Sequence, residues 1–417
     1  MITEIKWRIE QMRQGDIPAG YKKAASGIAP ANWKRYTLGD IYTERKESGD
    51  ENLPLLMVSI HSGVSDGEVD AAELPKQVKR IEDKSQYKKA VSGDLVFNMM
   101  RAWQGAIGAV RTTGMVSPAY IVAKPNDKAY PLFMDYYSRT PQMINQIDRQ
   151  SYGVTDFRKR LYWDSFAPIN CILPPIEEQQ KIATILTTQD KVIKLKEKRL
   201  AEKQRQKKYL MQQLLTGKKR LPGFSGEWKK AKLKNILYER KTYSPKGLEY
   251  PHVTLSAEGI FPKSERYDRD HLVRDEDKEY KITHKGDICY NPANLKFGAI
   301  CENTFGDAIF SPIYVTFEVE ENICKEYIAN YLMRWDFINA VRKYEEGTVY
   351  ERMAVKPEDF LKFEIFLPQI EEQTAIAEVL SAADREIELL QQDIEQEKQK
   401  KKALMQLLLT GIVRVKT

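Results

Sequence analysis

Side chains that could bind the edges of DNA bases are concentrated in two loops. Asn98-Met99-Met100-Arg101-Ala102-Trp103-Gln104-Gly105 and Asn291-Pro292-Ala293-Asn294-Leu295-Lys296-Phe297-Gly298 each follow a Gly-Asp turn and a predicted strand. Arg and Lys bind guanine, and Asn and Gln bind adenine, through paired hydrogen bonds in the major groove. Ordinary surface loops are the alternative interpretation. The DNA-contacting residues predicted in these loops are Arg101, Trp103, Gln104, Asn294 and Lys296.

Further polar segments could contribute to the same kind of interface. Two predicted strands, 55–60 and 252–255, are each followed by a polar turn, and the stretches 151–160 and 347–352 are polar or basic. A run of three basic residues could hold phosphates, which positions a protein on DNA without reading its sequence. The additional predicted contacts are His61, Arg158, Lys159, Arg160, Thr254, Ser256, Tyr350 and Arg352.

Motifs for catalysis are absent from the sequence. There is no Gly-x-x-x-x-Gly-Lys-Ser/Thr loop for a nucleotide, and no Gly-x-Gly-x-x-Gly follows a strand. The four histidines are isolated, and Asn291-Pro292-Ala293-Asn294 lacks the second proline and the aromatic residue of an amino-methyltransferase loop. Glu44-Arg45-Lys46 resembles part of a nuclease site, but such a run arises by chance when 30% of residues are charged. We therefore predict no catalytic residue, metal or cofactor in this chain.

Composition bounds the class of protein. The chain has 417 residues, a net charge of +7 and 42% hydrophobic residues, which is typical of a globular protein of two or three domains. No run approaches the ~18 apolar residues that cross a bilayer. The four cysteines form no Cys-x-x-Cys pair, which favours a reducing cytoplasm over an oxidising compartment. We expect a cytoplasmic protein without a membrane partner.

The chain contains two copies of one unit. Residues 173–220 and 367–414 share 22 identities in 48 positions at a constant offset of 194 residues. Fainter matches continue upstream, such as Trp33 with Trp228 and Gly93-Asp94 with Gly286-Asp287. Each copy therefore has a variable part of about 140 residues followed by a closely matched part. A constraint shared by the two matched parts explains why they stayed alike within one chain.

The matched parts are predicted to be long helices. Pro174-Pro175 precede the first one and Gly217 follows it, as expected for a helix start and end. Apolar residues repeat with a period of 3.5, which is typical of a coiled coil, although Gln189, Lys196, Lys203 and Lys207 interrupt the first copy. The two helices would pack on each other or, alternatively, each on its own domain; the sequence leaves their direction open. The predicted contact positions are Ile182, Leu186, Ile193, Leu200, Leu210, Leu214, Ile376, Leu380, Ile387, Leu390, Ile394, Leu404 and Leu408.

The variable parts are predicted to be mixed in secondary structure. Strands and helices do not alternate regularly in them, which favours a compact α+β domain over a doubly wound parallel sheet. With the long helices, the predicted fold class is α+β in tandem repeat, with one long helix after each domain.

With the motif Leu-Pro-x-Ile-Glu-Glu-Gln … Leu-Leu-Thr-Gly occurring twice, at 173–217 and 367–411, the chain resembles the DNA specificity subunits of type I restriction-modification systems. The stretches 27–33 and 221–228 also resemble this family. The resemblance covers nearly the whole chain except the first ~25 residues. It divides the sequence into an N-terminal extension (1–30), a target recognition domain (31–172), a helical spacer (173–222), a second target recognition domain (223–366) and a second helical spacer (367–417).

The resemblance implies a non-catalytic subunit that binds double-stranded DNA with a bipartite target. Each recognition domain would bind one half of the site, and the helices would form an antiparallel coiled coil that sets the spacer. The helices would also dock two methylation subunits, and a restriction subunit with motor and nuclease would complete the complex. S-adenosylmethionine, ATP and Mg²⁺ would belong to those partner subunits. The alternatives are a scaffold that does not bind DNA and a stand-alone DNA-modifying enzyme.

The positive charge is localised in one predicted helix. Residues 190–220 contain 12 Lys+Arg and 3 Asp+Glu, a net charge of +9, so the rest of the chain is slightly negative. A solvated helix face is the simplest interpretation. The alternative is a face turned toward spacer phosphates or toward an acidic partner surface.

Overall fold

The computed structural model describes residues 2–24, 27–50, 52–65, 84–153, 159–244, 250–263, 279–345 and 354–415. The chain forms two compact units. Unit 1 comprises Met1–Leu195 with Ile394–Thr417, and unit 2 comprises Lys196–Asp393. Each unit therefore combines one variable part with segments of both long helices.

Unit 1 is built on a four-stranded antiparallel sheet with the order β4-β11-β8-β9. Helices α3 and α4 and the first turns of α6 contribute to its core. The elements of this part of the chain are α1 (Ile2–Gln14), β1 (Tyr21–Ala24), β2 (Gly27–Pro30), β3 (Lys34–Thr37), α2 (Leu38–Ile41), β4 (Tyr42–Arg45), β5 (Val58–Ser59), β6 (Gly63–Val64), β7 (Lys88–Ala90), β8 (Leu95–Asn98), β9 (Ile107–Ala109), β10 (Gly114–Val116), β11 (Tyr120–Pro125), α3 (Pro131–Tyr137), α4 (Pro141–Gln150), α5 (Trp163–Phe166), β12 (Asn170–Leu173) and α6 (Ile176–Leu214).

Unit 2 repeats this architecture, with a four-stranded antiparallel sheet of order β14-β22-β19-β20. A second sheet of unit 2 has three antiparallel strands in the order β15-β18-β21. The elements are β13 (Lys229–Lys232), β14 (Leu237–Glu239), β15 (Tyr243–Ser244), β16 (Val253–Ser256), β17 (Gly259–Pro262), β18 (Tyr280–Thr283), β19 (Ile288–Tyr290), β20 (Ile300–Glu302), β21 (Ala308–Phe310), β22 (Val315–Val319), α7 (Lys325–Leu332), α8 (Trp335–Val341), α9 (Pro357–Phe360), β23 (Glu364–Leu367) and α10 (Ile370–Leu409).

The Gly-Asp pair that precedes the central strand in each unit has a defined structural role. Asp94 accepts a hydrogen bond from the Val91 N–H (2.8 Å) and pairs with Arg45 on β4 (2.7 Å). Asp287 pairs in the same way with Arg240 (2.9 Å), next to β14. Both carboxylates are almost completely buried, so the paired arginine offsets the cost of removing the charge from water. Glu44-Arg45-Lys46 therefore supports the sheet through its arginine.

The long helices pack antiparallel within each unit. In unit 1 Glu178, near the start of α6, pairs with Arg414 beyond the end of α10, and Asp190 pairs with Lys401. In unit 2 Lys196 pairs with Asp393, and Lys207 pairs with Asp384. The residue number falls along one helix as it rises along the other. The predicted helix pair is confirmed, and its direction, which the sequence left open, is antiparallel.

The long helices also belong to the domain cores. Ile182 and Leu186 are fully buried in one cluster with Phe133 and Leu408. In unit 2, Ile376 and Leu380 share a cluster with Leu214, Tyr327 and Phe360. Each helix therefore packs both on the other helix and on a domain, so the two alternatives considered from the sequence are both present.

Both helix ends follow the sequence signals. The Gln179 side chain donates to the Pro174 carbonyl (3.0 Å), and Gln373 donates to the Pro368 carbonyl (2.9 Å), which ties the first turn to the preceding strand. Gly217 and Gly411 adopt positive φ values of 69° and 74° just after the two helices. Glycine takes this left-handed conformation without the steric cost of a Cβ, so it ends the helix.

The predicted strand 55–60 is shorter in the structure. Only Val58–Ser59 forms a strand, and Leu55 makes an isolated bridge to Met115. The Met57 N–H donates to the Ser65 hydroxyl (3.0 Å) instead of to a neighbouring strand, which interrupts the ladder.

Among the described residues, no helix has the length and apolar character that a bilayer-spanning helix needs.

Candidate nucleic-acid interface

Three surface segments converge in unit 1. The loop 98–105 contains a short 3-10 helix, Ala102–Gln104, and ends at Gly105, whose φ is 101°. A Cβ on Gly105 would lie 3.4 Å from the Ile60 carbonyl oxygen, so the turn that carries His61 lies against the end of this loop. The Leu161 N–H donates to the Met99 carbonyl (2.9 Å), which brings residues 159–161 to the other side.

The same three segments converge in unit 2. The loop 291–298 contains the 3-10 helix Leu295–Phe297 and ends at Gly298, whose φ is 83°. A Cβ on Gly298 would lie 3.7 Å from Ala257, in the β16–β17 hairpin. The Val355 N–H donates to the Pro292 carbonyl (3.3 Å), which supplies the third segment.

Both loops are held by side chains that point inward. Asn98 and Asn291 are buried, and each side-chain oxygen accepts a hydrogen bond from a backbone N–H two residues later (3.0 and 3.1 Å). Ala102 and Leu295 are fully buried at the start of the 3-10 helices. These buried side chains therefore hold the loop backbone in place. The other side chains of the loop can differ between the copies.

The predicted contacts of unit 1 lie on or beside this surface. His61, Arg101, Gln104 and Arg160 are exposed. Trp103 is half-buried, its indole N–H donates to the Met100 carbonyl (3.0 Å), and the Lys159 ammonium lies 5.5 Å from its ring. Lys159 also pairs with Asp148 (3.0 Å), so this lysine is held in place over the indole.

The predicted contacts of unit 2 are more varied in environment. Asn294 is exposed, and the Lys296 ammonium lies 5.4 Å from the ring of Phe297. Thr254 is half-buried, and its hydroxyl is 3.3 Å from the Tyr314 hydroxyl. The Ser256 hydroxyl accepts from the Glu258 N–H (3.2 Å). Thr254 and Ser256 thus also have structural hydrogen bonds. The predicted contacts Arg158, Tyr350 and Arg352 lie outside the described residues.

Two exposed aromatic residues near the second loop were not predicted. Phe297 is 63% exposed and Trp335, at the start of α8, is 51% exposed. The sequence showed that Phe297 lies in the loop, but it did not predict that the ring is exposed. Trp335 had no sequence signal, because it reaches the loop only through the packing of α8 beside Gly298.

The predicted helix contacts are arranged as a buried seam. The buried positions are Ile182, Leu186, Ile193, Leu214, Ile376, Leu380, Leu390, Ile394 and Leu408. The half-buried positions are Leu200, Leu210, Ile387 and Leu404.

The polar residues that interrupt the heptads pair with the opposite helix. In unit 1 the Gln189 amide donates to the Glu397 carboxylate (2.6 Å). In unit 2 the Lys203 ammonium lies 2.8 Å from Glu386, which Arg199 also approaches (3.6 Å). Lys196 and Lys207 pair with α10 as described above. Much of the basic stretch of α6 therefore faces acidic residues of this same chain.

The repeated glutamate of the Leu-Pro-x-Ile-Glu-Glu-Gln motif anchors the far end of the other helix. Glu178 is fully buried, accepts two hydrogen bonds from Arg414 (2.7 and 2.8 Å) and accepts one from the Trp33 indole (3.2 Å). Glu372 binds Arg220 and Trp228 in the same way. The motif is repeated because each unit needs this buried carboxylate.

The structure gives no sign of reactive thiols. Burial raises the pKa of the Cys171 and Cys301 thiols to about 12, and it also raises the pKa of Cys289 and of Cys324. These thiols stay protonated near neutral pH, and a thiol is a poor nucleophile. Among the described residues, no group of three His, Cys, Asp or Glu side chains is placed to hold a metal ion.

Comparisons with known proteins agree with this architecture. Two relatives come from Methanocaldococcus jannaschii. The putative type I restriction enzyme MjaX specificity subunit is 24% identical over 95% of this chain and 97% of its own length. The type I restriction enzyme MjaVIII specificity subunit is 24% identical over 80% of this chain and 83% of its own length.

Solved structures share the fold. The S subunit of a type I restriction-modification system from M. genitalium superposes with a TM-score of 0.54 at 11% identity, covering 93% of this chain and 97% of that one. A chain from a study of assembly and conformational transition in a type I restriction-modification system gives a TM-score of 0.54 at 16% identity, covering 92% and 99%. The α+β tandem fold predicted from the sequence is confirmed.

The family described as the type I restriction modification DNA specificity domain matches residues 69–204 and 226–399. The two matches fall on the two copies of the repeat and together cover most of the chain. The chain belongs to the type I restriction modification DNA specificity domain family.

Proposed function

We propose that this chain is the DNA specificity subunit of a type I restriction-modification complex. Unit 1 and unit 2 each bind one half of a bipartite double-stranded target. The observation that carries the proposal is the pair of loops, 98–105 and 291–298, which share a scaffold and present different polar side chains. Two copies of one reader with different contact residues suit a target with two different halves.

The base-contacting roles of the predicted residues remain part of this proposal. Arg101 and Gln104 in unit 1, and Asn294 and Lys296 in unit 2, have the chemistry to read base edges. We propose that Lys159 and Arg160 contact phosphates beside them, because basic side chains bind phosphates without reading sequence. The segment boundaries given above, 31–172 and 223–366 for the recognition domains, are kept as part of the same proposal.

The helices α6 and α10 would set the length of the unread spacer and dock the partner subunits. The matched parts of the two helices share 22 identities in 48 positions. Two matched helices in one chain favour two copies of one partner, which we propose to be the methylation subunit. The chain itself would be non-catalytic, with S-adenosylmethionine, ATP and Mg²⁺ bound by methylation and restriction subunits.

Methylome sequencing of cells that contain the chain and its methylation partner tests the function. The proposal predicts one bipartite motif whose methylation disappears when the chain is deleted. Binding of the purified complex to that motif should weaken as salt rises, because counterions are released from phosphates. A scaffold would leave the motif unchanged, and a stand-alone enzyme would methylate DNA without the partner.

A heptad deletion tests the role of the helices in spacing. Removing residues 194–200 and 388–394 together shortens both helices by about 10 Å and keeps the flanking register. The spacer of the methylated motif should shorten by about three base pairs with both half-sites retained. Removal of residues 194–200 alone breaks the register and is the control that should abolish methylation. An unchanged spacer in the double deletion would contradict the proposal.

A further inference from the structure

A cleft of about 320 Å³ opens beside the second loop in unit 2. Its lining includes Phe297 and Gly298 of the loop, Ala257 of the β16–β17 hairpin and Trp335 of α8, with Lys208 and Gln212 of α6 along one edge. Gly298 has no side chain to fill the space, and its φ of 83° favours glycine. The cleft therefore stays open because of the same glycine that ends the loop.

The two aromatic residues of the cleft are poorly covered by the rest of unit 2. Phe297 is 63% exposed and Trp335 is 51% exposed, whereas Phe310, Phe317 and Phe360 of the same unit are fully buried. Leaving large rings in water forfeits the stabilisation that their burial would provide. Paired exposed rings at one cleft are the arrangement by which proteins stack bases.

The equivalent positions of unit 1 carry no aromatic side chain. Gln104 occupies the position of Phe297, and Pro141 occupies the position of Trp335. The aromatic residue of the first loop, Trp103, is half-buried beneath Lys159. The aromatic pair is thus a property of one copy and not of the shared scaffold.

The charges around the cleft favour an anionic occupant. Asp336 is paired with Arg334 (2.5 Å), which neutralises that carboxylate. Lys208 and Lys296 form no ion pair with the residues that the structure describes, and the Lys296 ammonium lies 5.4 Å from the Phe297 ring. Lys198 and Arg205 continue the exposed basic face of α6 that ends at Lys208. An occupant that combines flat aromatic rings with negative charge is a nucleic acid.

We propose that this cleft accepts a nucleobase that leaves the helical stack at or beside the half-site bound by unit 2. Phe297 and Trp335 stack on the base, and Lys208 and Lys296 contact the neighbouring phosphates. The inference rests on the proposed function, since it names the part of the DNA that the second unit holds.

Affinity measurements on the complex of the full chain with its methylation partner test the cleft. The DNA is a duplex with the bipartite motif, in which each nucleotide in and beside the second half-site is replaced in turn by an abasic residue. Phe297→Ala and Trp335→Ala should each weaken binding of intact DNA by about 5- to 100-fold. That loss should vanish at one abasic position, because the base that the ring stacks on is already missing.

Matched variants separate stacking from a folding defect. Trp335→Phe keeps an aromatic ring and should retain most of the affinity, whereas Trp335→Leu keeps apolar bulk and should lose it. Phe366→Ala removes a ring of similar exposure (55%) outside the cleft and should have no effect. Gln104→Ala, at the equivalent position of unit 1, should show no coupling to any base of the second half-site.

The outcomes distinguish this inference from the function on which it rests. If the wild-type complex did not bind the bipartite motif specifically, the proposed function itself would be contradicted. Specific binding that Phe297→Ala and Trp335→Ala leave unchanged, or weaken equally at every abasic position, would overturn the inference alone. If Phe297→Ala and Trp335→Ala weakened binding of the methylation partner and left DNA affinity unchanged, the inference would also be overturned. The cleft would then be a protein-docking site.

Discussion

The loop 98–105 of unit 1 and the loop 291–298 of unit 2 have the same backbone and different surfaces. Each begins with a buried asparagine, passes through a 3-10 helix and ends at a glycine with positive φ. The first presents Arg101 and Gln104 beside the half-buried Trp103, and the second presents Asn294 beside Phe297 and Trp335, which are 63% and 51% exposed. The difference shows that the scaffold and the surface it presents vary independently.

The buried contacts that support the loops are also partly shared and partly different between the two units. The buried pairs Arg45–Asp94 and Arg240–Asp287 are equivalent, as are the anchors at Glu178 and Glu372. Position 140 differs: Thr140 caps α4 in unit 1, where a cavity of about 370 Å³ lies beside it. In unit 2 the equivalent Arg334 reaches the Leu215 carbonyl at the end of α6 (3.0 Å).

The largest effect on stability is expected at the shared anchors. Glu178→Gln and Glu372→Gln should each lower the free energy of unfolding by about 2 kcal/mol, because a buried arginine–carboxylate pair loses its charge. Urea unfolding checks this, with the exposed neighbours Glu177→Gln and Glu371→Gln as controls. Similar losses in both units support equivalent scaffolds; a loss in only one would break the equivalence.

A smaller and unequal effect is expected at position 140 and its counterpart. Arg334→Ala should cost about 2 kcal/mol, because it removes a buried hydrogen bond to a helix end and the contact of the guanidinium with the Tyr331 ring. Thr140→Ala should cost about 1 kcal/mol, the usual value for losing a helix cap. Thermal unfolding compares the two, with Lys343→Ala as an exposed control. Equal costs would mean that this difference between the units is energetically irrelevant.

The smallest effect is expected at the partly exposed ion pairs between α6 and α10. Lys203→Glu and Glu386→Lys should each lower the melting temperature slightly, since each places like charges together, and the double exchange should restore it. About 1 M salt should remove the difference, because exposed charges are screened. A double exchange no better than the single variants would show that Lys203 and Glu386 do not contribute through their charges.

Much of the fold could be predicted from the sequence, because the repeat shows the same structural motif in both copies. The helices of residues 176–214 and 370–409 follow from one matched motif, its prolines and its glycine. The partners of Gln189 and Lys203 on the other helix did not follow, because a heptad pattern gives no direction. Arg334 and Trp335 were missed because their roles depend on contacts far away in sequence. The strand 55–60 was overpredicted because its apolar residues fill a core without continuous pairing.

The central claim is that each unit reads its own half of one target through its own loop. Methylome sequencing of cells with Arg101→Ala and, separately, Asn294→Ala tests it most directly, because each removes one exposed side chain that we propose reads a base, a contact worth about 1–3 kcal/mol of discrimination. The account predicts that Arg101→Ala relaxes the motif in one half only and that Asn294→Ala relaxes it in the other half only. Two unchanged motifs, or relaxation of the same half by both variants, would contradict it.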